Sequence, residues 1–409
     1  MLLFSLTALH VFEIHFLLFF STTFILLLSH DYKMSKFSFN LIIILLILLI
    51  IGIFSSLFNP KIFYDWLKDL MYFLKPILGI VTGYFLVSRI NDKQFFFRAI
   101  IYVAVVFSIF HIIGVIVNTD FSTDSINEIR KHNGISNLLE LMALVVLVGS
   151  YKFEYLNVVK YRLIKKIILL ILSISIVFYF SRTMLIAFII MGLAVYGYTK
   201  LSTKGLKYAF ILLSLIGAFY MYLFSVDIKR DQPGIDSFLY KMKIAPVEIF
   251  SPSVEIDKQN HENLWDYWRA YEVEMAIDQM NIQRFSYFMG FGFGSLVDLK
   301  FKAPLNKEGI RYIPLLHNGY VYLVFKTGFI GLFFYIVFLL YLYIQSYKKN
   351  KLGNEIVIRN LISGIGLFFI FTSLITTGIF NSNEIYTFIL GGFLFLLHDN
   401  NSLQKSLDQ

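Results

Sequence analysis

The chain has 409 residues, 57% of them apolar and only 15% charged, and it contains no cysteine. Soluble domains carry about 25% charged residues, so this composition excludes an ordinary soluble protein, and the missing cysteine excludes disulfides, thiolate chemistry and Cys-ligated metal. The net charge of +9 is not a nucleic-acid footprint, because Lys and Arg stand in short clusters between apolar runs, the pattern that orients membrane helices.

The N-terminus opens on an apolar run without a basic n-region, so it reads as a first membrane helix and not as a cleavable signal peptide. A membrane helix needs about 20 mostly apolar residues, and by that rule the sequence predicts about eleven spans (10–12). They fall at 8–29, 38–58, 70–88, 97–117, 135–151, 165–180, 183–199, 206–225, 314–346, 357–379 and 385–397. The sixth and seventh are short and meet at Ser181-Arg182-Thr183.

Basic residues orient the spans. Lys33 and Lys36 follow the first span, and Arg89, Lys93 and Arg98 the third. Lys152, Lys160, Arg162, Lys165 and Lys166 follow the fifth, Lys200, Lys204 and Lys207 the seventh, and Lys348, Lys349, Lys351 and Arg359 the ninth. These are alternate connections, so all lie on one side, and that side is the cytoplasm. The C-terminus is then inside and the N-terminus outside. The expected fold is an all-α polytopic membrane protein: membrane helices over 1–225, a large extracytoplasmic loop over 226–313, and membrane helices with a cytoplasmic C-terminus over 314–409. A loop of that length is functional more often than not. It holds two of the three Trp residues, and Leu264, Trp268, Tyr271 and Met275 recur at helical spacing, which predicts an amphipathic helix over 261–284.

Charges at membrane depth are costly, so each is a functional candidate to be weighed against a structural role. Arg182 lies between two apolar runs with no loop to carry it into water. A guanidinium there either snorkels or grips a phosphate with two parallel N–H donors. His317 lies in Pro314-Leu315-Leu316-His317-Asn318-Gly319-Tyr320, where the loop re-enters the membrane. An imidazole shuttles a proton near neutral pH, and the competing role is a helix-terminal His bonded to the loop backbone. Arg269 has Glu262, Asp266 and Glu272 at helical neighbour spacing, enough to occupy it in surface pairs. Gly290-Phe291-Gly292-Phe293-Gly294 lets backbone approach closely. It has no strand–helix unit around it and is not a dinucleotide fingerprint. Lys75 stands near the external end of the third span, where it can snorkel, and Glu140 in the fifth can pair with a neighbouring helix. His10, Glu13 and His15 lack metal-ligand spacing and read as structural, and no Asp/Glu/His cluster has the spacing of a metal site.

Three segments in chain order resemble the O-antigen polymerase/ligase family of bacterial membrane glycosyltransferases. They are Phe180-Ser181-Arg182-Thr183 at the helix break, Arg269 followed by the Gly290–Gly294 run, and His317-Asn318-Gly319-Tyr320 through Thr327-Gly328-Phe329-Ile330-Gly331-Leu332. Arg130 to Asn137 is similar to the family's Arg…Gly…Asn stretch before a membrane helix. Ser286-Tyr287-Phe288-Met289 lacks the Pro often found before the family's glycine run.

The resemblance implies a multi-pass protein of the cell inner membrane with its active site facing the periplasm. It implies undecaprenyl-pyrophosphate-linked oligosaccharides as donor and acceptor, membrane lipid around the site, and a chain-length regulator as a partner protein, with no nucleic acid, no cofactor and no metal. On this reading Arg182 and Arg269 neutralise the leaving pyrophosphate and His317 serves as base. Arg130, Lys75 and Asn318 bind substrate. Trp265, Trp268 and Tyr312 either stack on sugar or form loop core. The function expected is polymerisation of repeat units. A ligase acting on lipid A core, a lipid-linked oligosaccharide flippase and a membrane scaffold are the competing readings.

Overall fold

The computed structural model describes residues 2–8, 11–28, 33–59, 62–120, 129, 134–228, 235–250, 261–304, 308–348, 353–381 and 385–407. The chain is an all-α membrane protein, to which the segment before residue 319 adds one small hairpin. The helices are α1 (Leu2–Ala8), α2 (Phe12–Leu28), α3 (Lys36–Ser56), α4 (Phe63–Ser88), α5 (Gln94–Asn118), α6 (Asn137–Gly149), α7 (Arg162–Phe178), α8 (Arg182–Val195) and α9 (Thr203–Ser225). Then come α10 (Ile235–Phe250), α11 (His261–Ile282), the single turn α12 (Ser286–Met289), the antiparallel strands β1 (Val297–Ala303) and β2 (Ile310–Ile313), and α13 (Gly319–Tyr343), α14 (Gly353–Ile375) and α15 (Tyr386–Leu407).

Among the described residues six helices are long and apolar enough to cross a membrane. The helices α2, α6 and α8 are apolar but shorter. A 13-residue helix such as α6 rises only about 20 Å, less than the roughly 30 Å hydrocarbon core. The first expected span, 8–29, holds the helix α2, and the short helix α1 precedes it.

Helix packing in lipid relies on close backbone approach, because lipid tails offer no contrast in polarity. The central pair α4 and α15 shows this: a methyl group on Gly83 would meet the Phe388 carbonyl, and one on Gly391 the Ile80 carbonyl. The helix α13 packs against α3 on one side and α14 on the other, and α14 carries α8.

The expected ninth span is not one continuous helix. At Gly328 the backbone of α13 turns to φ 68°, ψ −173°, a conformation open to glycine at little cost. The break frees carbonyls that a helix would satisfy, and hydrocarbon offers no donor. The glycine run supplies it. Phe291 N–H donates to the Phe325 carbonyl at 2.7 Å and Gly292 N–H to the Lys326 carbonyl at 3.0 Å. Gly290, Gly292 and Gly294 all have φ near 80°, and side chains at Gly290 and Gly292 would strike the backbones of Lys326 and Ser56. The alternation of glycines is thus the imprint of a chain threaded between α3 and α13.

A buried ion pair pins the thread. Asp69 on α4 accepts from Lys326 Nζ on α13, and both side chains are 1% exposed. Gly294 N–H donates to the same carboxylate at 2.7 Å, while Lys326 also donates to the Ser295 carbonyl. Tyr322 O–H donates to the other carboxylate oxygen at 3.4 Å, so both buried charges have hydrogen-bond partners besides each other, which such a pair requires.

Candidate active site

Residue 182 opens α8, and the reason is local. Phe180 takes a left-handed φ of 42°, ending the line of α7. Ser181 then caps α8, accepting from Met184 N–H at 3.4 Å. Arg182 is the first helical residue, and its side chain turns to α10. There Pro246 has no N–H to give the Met242 carbonyl, and Tyr220 O–H donates to that carbonyl at 3.1 Å. The preceding carbonyl, of Lys241, accepts from Arg182 Nη1.

The second contact of Arg182 is with Glu248, at 2.9 Å from Nη2 to Oε2. The other oxygen, Oε1, accepts from Arg269 Nη1 at 2.7 Å. Two guanidiniums distant in sequence thus meet on one carboxylate. Burial pulls the Arg269 guanidinium down from its ordinary value; Glu248 opposes this, Arg182 adds to it, and Glu272 opposes it. Two acidic neighbours of Arg269 on its own helix bond other groups. Asp266 accepts from the Tyr240 hydroxyl at 3.0 Å, and Glu272 serves His317.

Glu272 lies three residues after Arg269 on α11, on the same helix face. Its Oε2 accepts the His317 backbone N–H at 2.8 Å, and His317 Nδ1 lies 3.0 Å from each carboxylate oxygen. Glu272 is 3% exposed and the His317 side chain 50%. The helix α11 forms where the apolar spacing predicts it, with Leu264, Trp268, Tyr271 and Met275 all buried. One rigid element therefore carries both Arg269 and the partner of His317.

A cavity of about 500 Å³ adjoins Arg269. Arg269, Ser181 and Thr183 border it, with Asn137, Thr376 and Asn381 among its polar walls and Leu138, Phe368 and Ile385 among its apolar ones. Lys75 is 2% exposed inside the bundle, so it does not snorkel to the membrane surface. It donates to the carbonyl of Asn381, at 3.4 Å.

The other predicted residues are placed as follows. Asn318 caps α13, its Oδ1 accepting from the N–H groups of Tyr320 and Val321 at 3.1 Å each. That oxygen is occupied by the fold, which leaves the amide NH2 as the donor Asn318 can offer a substrate. Arg130 and His10 lie outside the described residues. Glu140 is bonded by the hydroxyls of Ser136, Ser175 and Tyr179. His15 borders the cavity. Trp268 is loop core, while Trp265 and Tyr312 are exposed.

Sequence reasoning missed Glu248 altogether and read Glu272 only as a partner for Arg269. A signal existed for Glu248: an acid two residues after a proline in a mostly apolar helix, Ile235–Phe250, is an unusual combination. Nothing in the sequence says which arginine it meets.

No curated protein matches the chain. Residues 167–336 match the family model described as O-antigen ligase, a stretch that runs from α7 into α13. It contains Arg182, Glu248, Arg269, Glu272 and His317, while Lys75 and Arg130 lie before it. Over residues 167–336 the chain is thus similar to the O-antigen ligase family.

Proposed function

We propose that this multi-pass membrane protein joins undecaprenyl-pyrophosphate-linked repeat units on the outer face of the inner membrane, as an O-antigen or related surface-polysaccharide polymerase. The observation that carries this reading is the meeting of Arg182 and Arg269 on Glu248. A point where two guanidiniums each give one N–H to a single carboxylate suits a phosphate, which offers more oxygens and more charge and can be gripped by both forks.

The chemistry follows from those parts. The acceptor sugar hydroxyl attacks the anomeric carbon of the donor. The carbon–oxygen bond to the pyrophosphate breaks, and a carbon–oxygen bond to the acceptor forms. Charge gathers on the leaving pyrophosphate, where the two arginines stabilise it. His317 takes the hydroxyl proton and passes it to water. No protonation of the leaving group is needed, because a lipid pyrophosphate leaves readily as an anion. The cavity beside Arg269 has apolar and polar walls, a mixture suited to a sugar held next to a lipid chain.

In this reading about eleven spans cross the membrane, the shorter helices among them, and residues 226–313 lie outside. A chain-length regulator is a partner in the same proposal. The family description favours a second reading, transfer of the finished glycan to lipid A core. Gel profiles of surface polysaccharide from a deletion strain separate the two. A lost polymerase leaves surface lipid carrying a single repeat unit, whereas a lost ligase leaves bare core with long chains on the carrier. An unchanged profile in the deletion strain would reject both.

A further inference from the structure

We infer that Glu272 is a positioning residue that fixes the tautomer of His317, holding the proton on Nδ1 and leaving Nε2 as the proton acceptor. This rests on His317 being the base of the proposed transfer, and it adds a residue to which that reading assigns nothing.

Donors and acceptors decide the tautomer. An ionised carboxylate only accepts hydrogen bonds. One of its oxygens, Oε2, is bound by the His317 backbone N–H at 2.8 Å, and both oxygens stand 3.0 Å from Nδ1. A bare Nδ1 lone pair facing that carboxylate would be repelled, so Nδ1 carries the hydrogen. In a neutral imidazole the other nitrogen then has the free lone pair. The burial contrast agrees: the carboxylate is 3% exposed and the histidine side chain 50%. The clamp is thus inside the protein while the ring reaches outward.

The clamp is also tied to the phosphate grip. Glu272 and Arg269 are three residues apart on α11, about 4.5 Å along its axis. The distance between leaving group and base is therefore set by one helix. A carboxylate that merely stapled the loop through the backbone N–H would make no difference to the ring.

Substitution by glutamine separates these roles. Glu272→Gln keeps the shape and can still accept the backbone N–H through its carbonyl oxygen. Its NH2 group then faces Nδ1 and donates to it, which moves the ring proton to Nε2. The base is lost although the fold stays. By analogy with a catalytic histidine given the wrong tautomer, kcat falls on the order of 10²–10⁴-fold, with KM for the lipid-linked donor unchanged. Glu272→Asp keeps an acceptor and recovers part of the rate.

The direct test is 15N NMR of the full-length protein with labelled histidine in lipid nanodiscs at about pH 8, above the ordinary imidazole range. The His317 signals are identified by difference from His317→Gln. The expected result is Nδ1–H with an unprotonated Nε2 in the wild type and the reverse in Glu272→Gln. The same tautomer in both proteins would overturn the proposal, and so would a tautomer switch with an unaltered kcat when His317→Gln abolishes transfer. The NMR readout needs no glycan transfer. If the tautomers behave as expected but His317→Gln transfers normally, the clamp stands and the assignment of the base fails.

Discussion

Arg182 and Arg269 donate to opposite oxygens of a single carboxylate, that of Glu248, at 2.9 and 2.7 Å. Neither arginine is fully buried, and each pair on its own would be a modest contact. Their value lies in geometry. Two guanidiniums are held at one point, and a proline-containing helix supplies the anion between them.

On the proposed function, Glu248 and a substrate phosphate compete for the same donors. Replacing the carboxylate by Glu248→Gln is expected to lower KM for the lipid-linked donor about tenfold, the scale of one charge-assisted hydrogen bond, with kcat changed only a few-fold. Initial rates against donor concentration check this. A raised KM together with a large loss of kcat would show that Glu248 builds the site.

The forked contact itself is tested by Arg182→Lys and Arg269→Lys. An ammonium keeps the charge but not the planar pair of donors. Each variant is expected to lose about 10²–10³-fold in transfer rate, as when one preorganised donor is removed from a transition-state site. Protein levels in the membrane, followed by immunoblot, should be those of the wild type, because apolar helix packing holds the bundle.

The Asp69–Lys326 pair is a matter of stability and not of chemistry. Asp69→Asn or Lys326→Met alone leaves a charge buried without its partner, which costs about 3–5 kcal/mol. The double substitution should recover most of that loss. Thermal unfolding in detergent reads all three variants. If the single variants were as stable as the wild type, the pair would not pin the glycine run.

Gly292→Ala puts a side chain against the Ser56 backbone at a φ of 81°. The left-handed backbone alone costs about 1–2 kcal/mol for a residue with a β-carbon, and the collision adds to it. Less folded protein is expected on size-exclusion chromatography of the fluorescent fusion, and a wild-type yield would argue against the tight thread between α3 and α13.

Hydropathy and the placement of Lys and Arg were enough to read a helical membrane protein, and apolar spacing located the helix of Arg269. Both are local signals, written in residues next to one another. The break in α13 was not legible, because Gly328 within an apolar run looks like any tolerated glycine until the run Gly290–Gly294 is laid against it. Arg182 and His317 stood out because charge is rare at a membrane boundary. Their partners did not. Glu248 and Glu272 sit among many other acids, and only folding decides which guanidinium or imidazole each one meets. The capping role of Asn318 was not legible either: beside a histidine it looks only like part of a site, yet the start of a helix needs a cap.

The central claim is that Arg182, Arg269 and His317 act together on one pyrophosphate-linked glycan. The most direct measurement uses purified protein in vesicles containing undecaprenyl-pyrophosphate-linked repeat units, with product length and released lipid pyrophosphate followed together. The account predicts a ladder of longer chains, one lipid pyrophosphate released per linkage, and neither product with Arg182→Ala, Arg269→Ala or His317→Ala. A ladder of wild-type length from any of these three variants would contradict it.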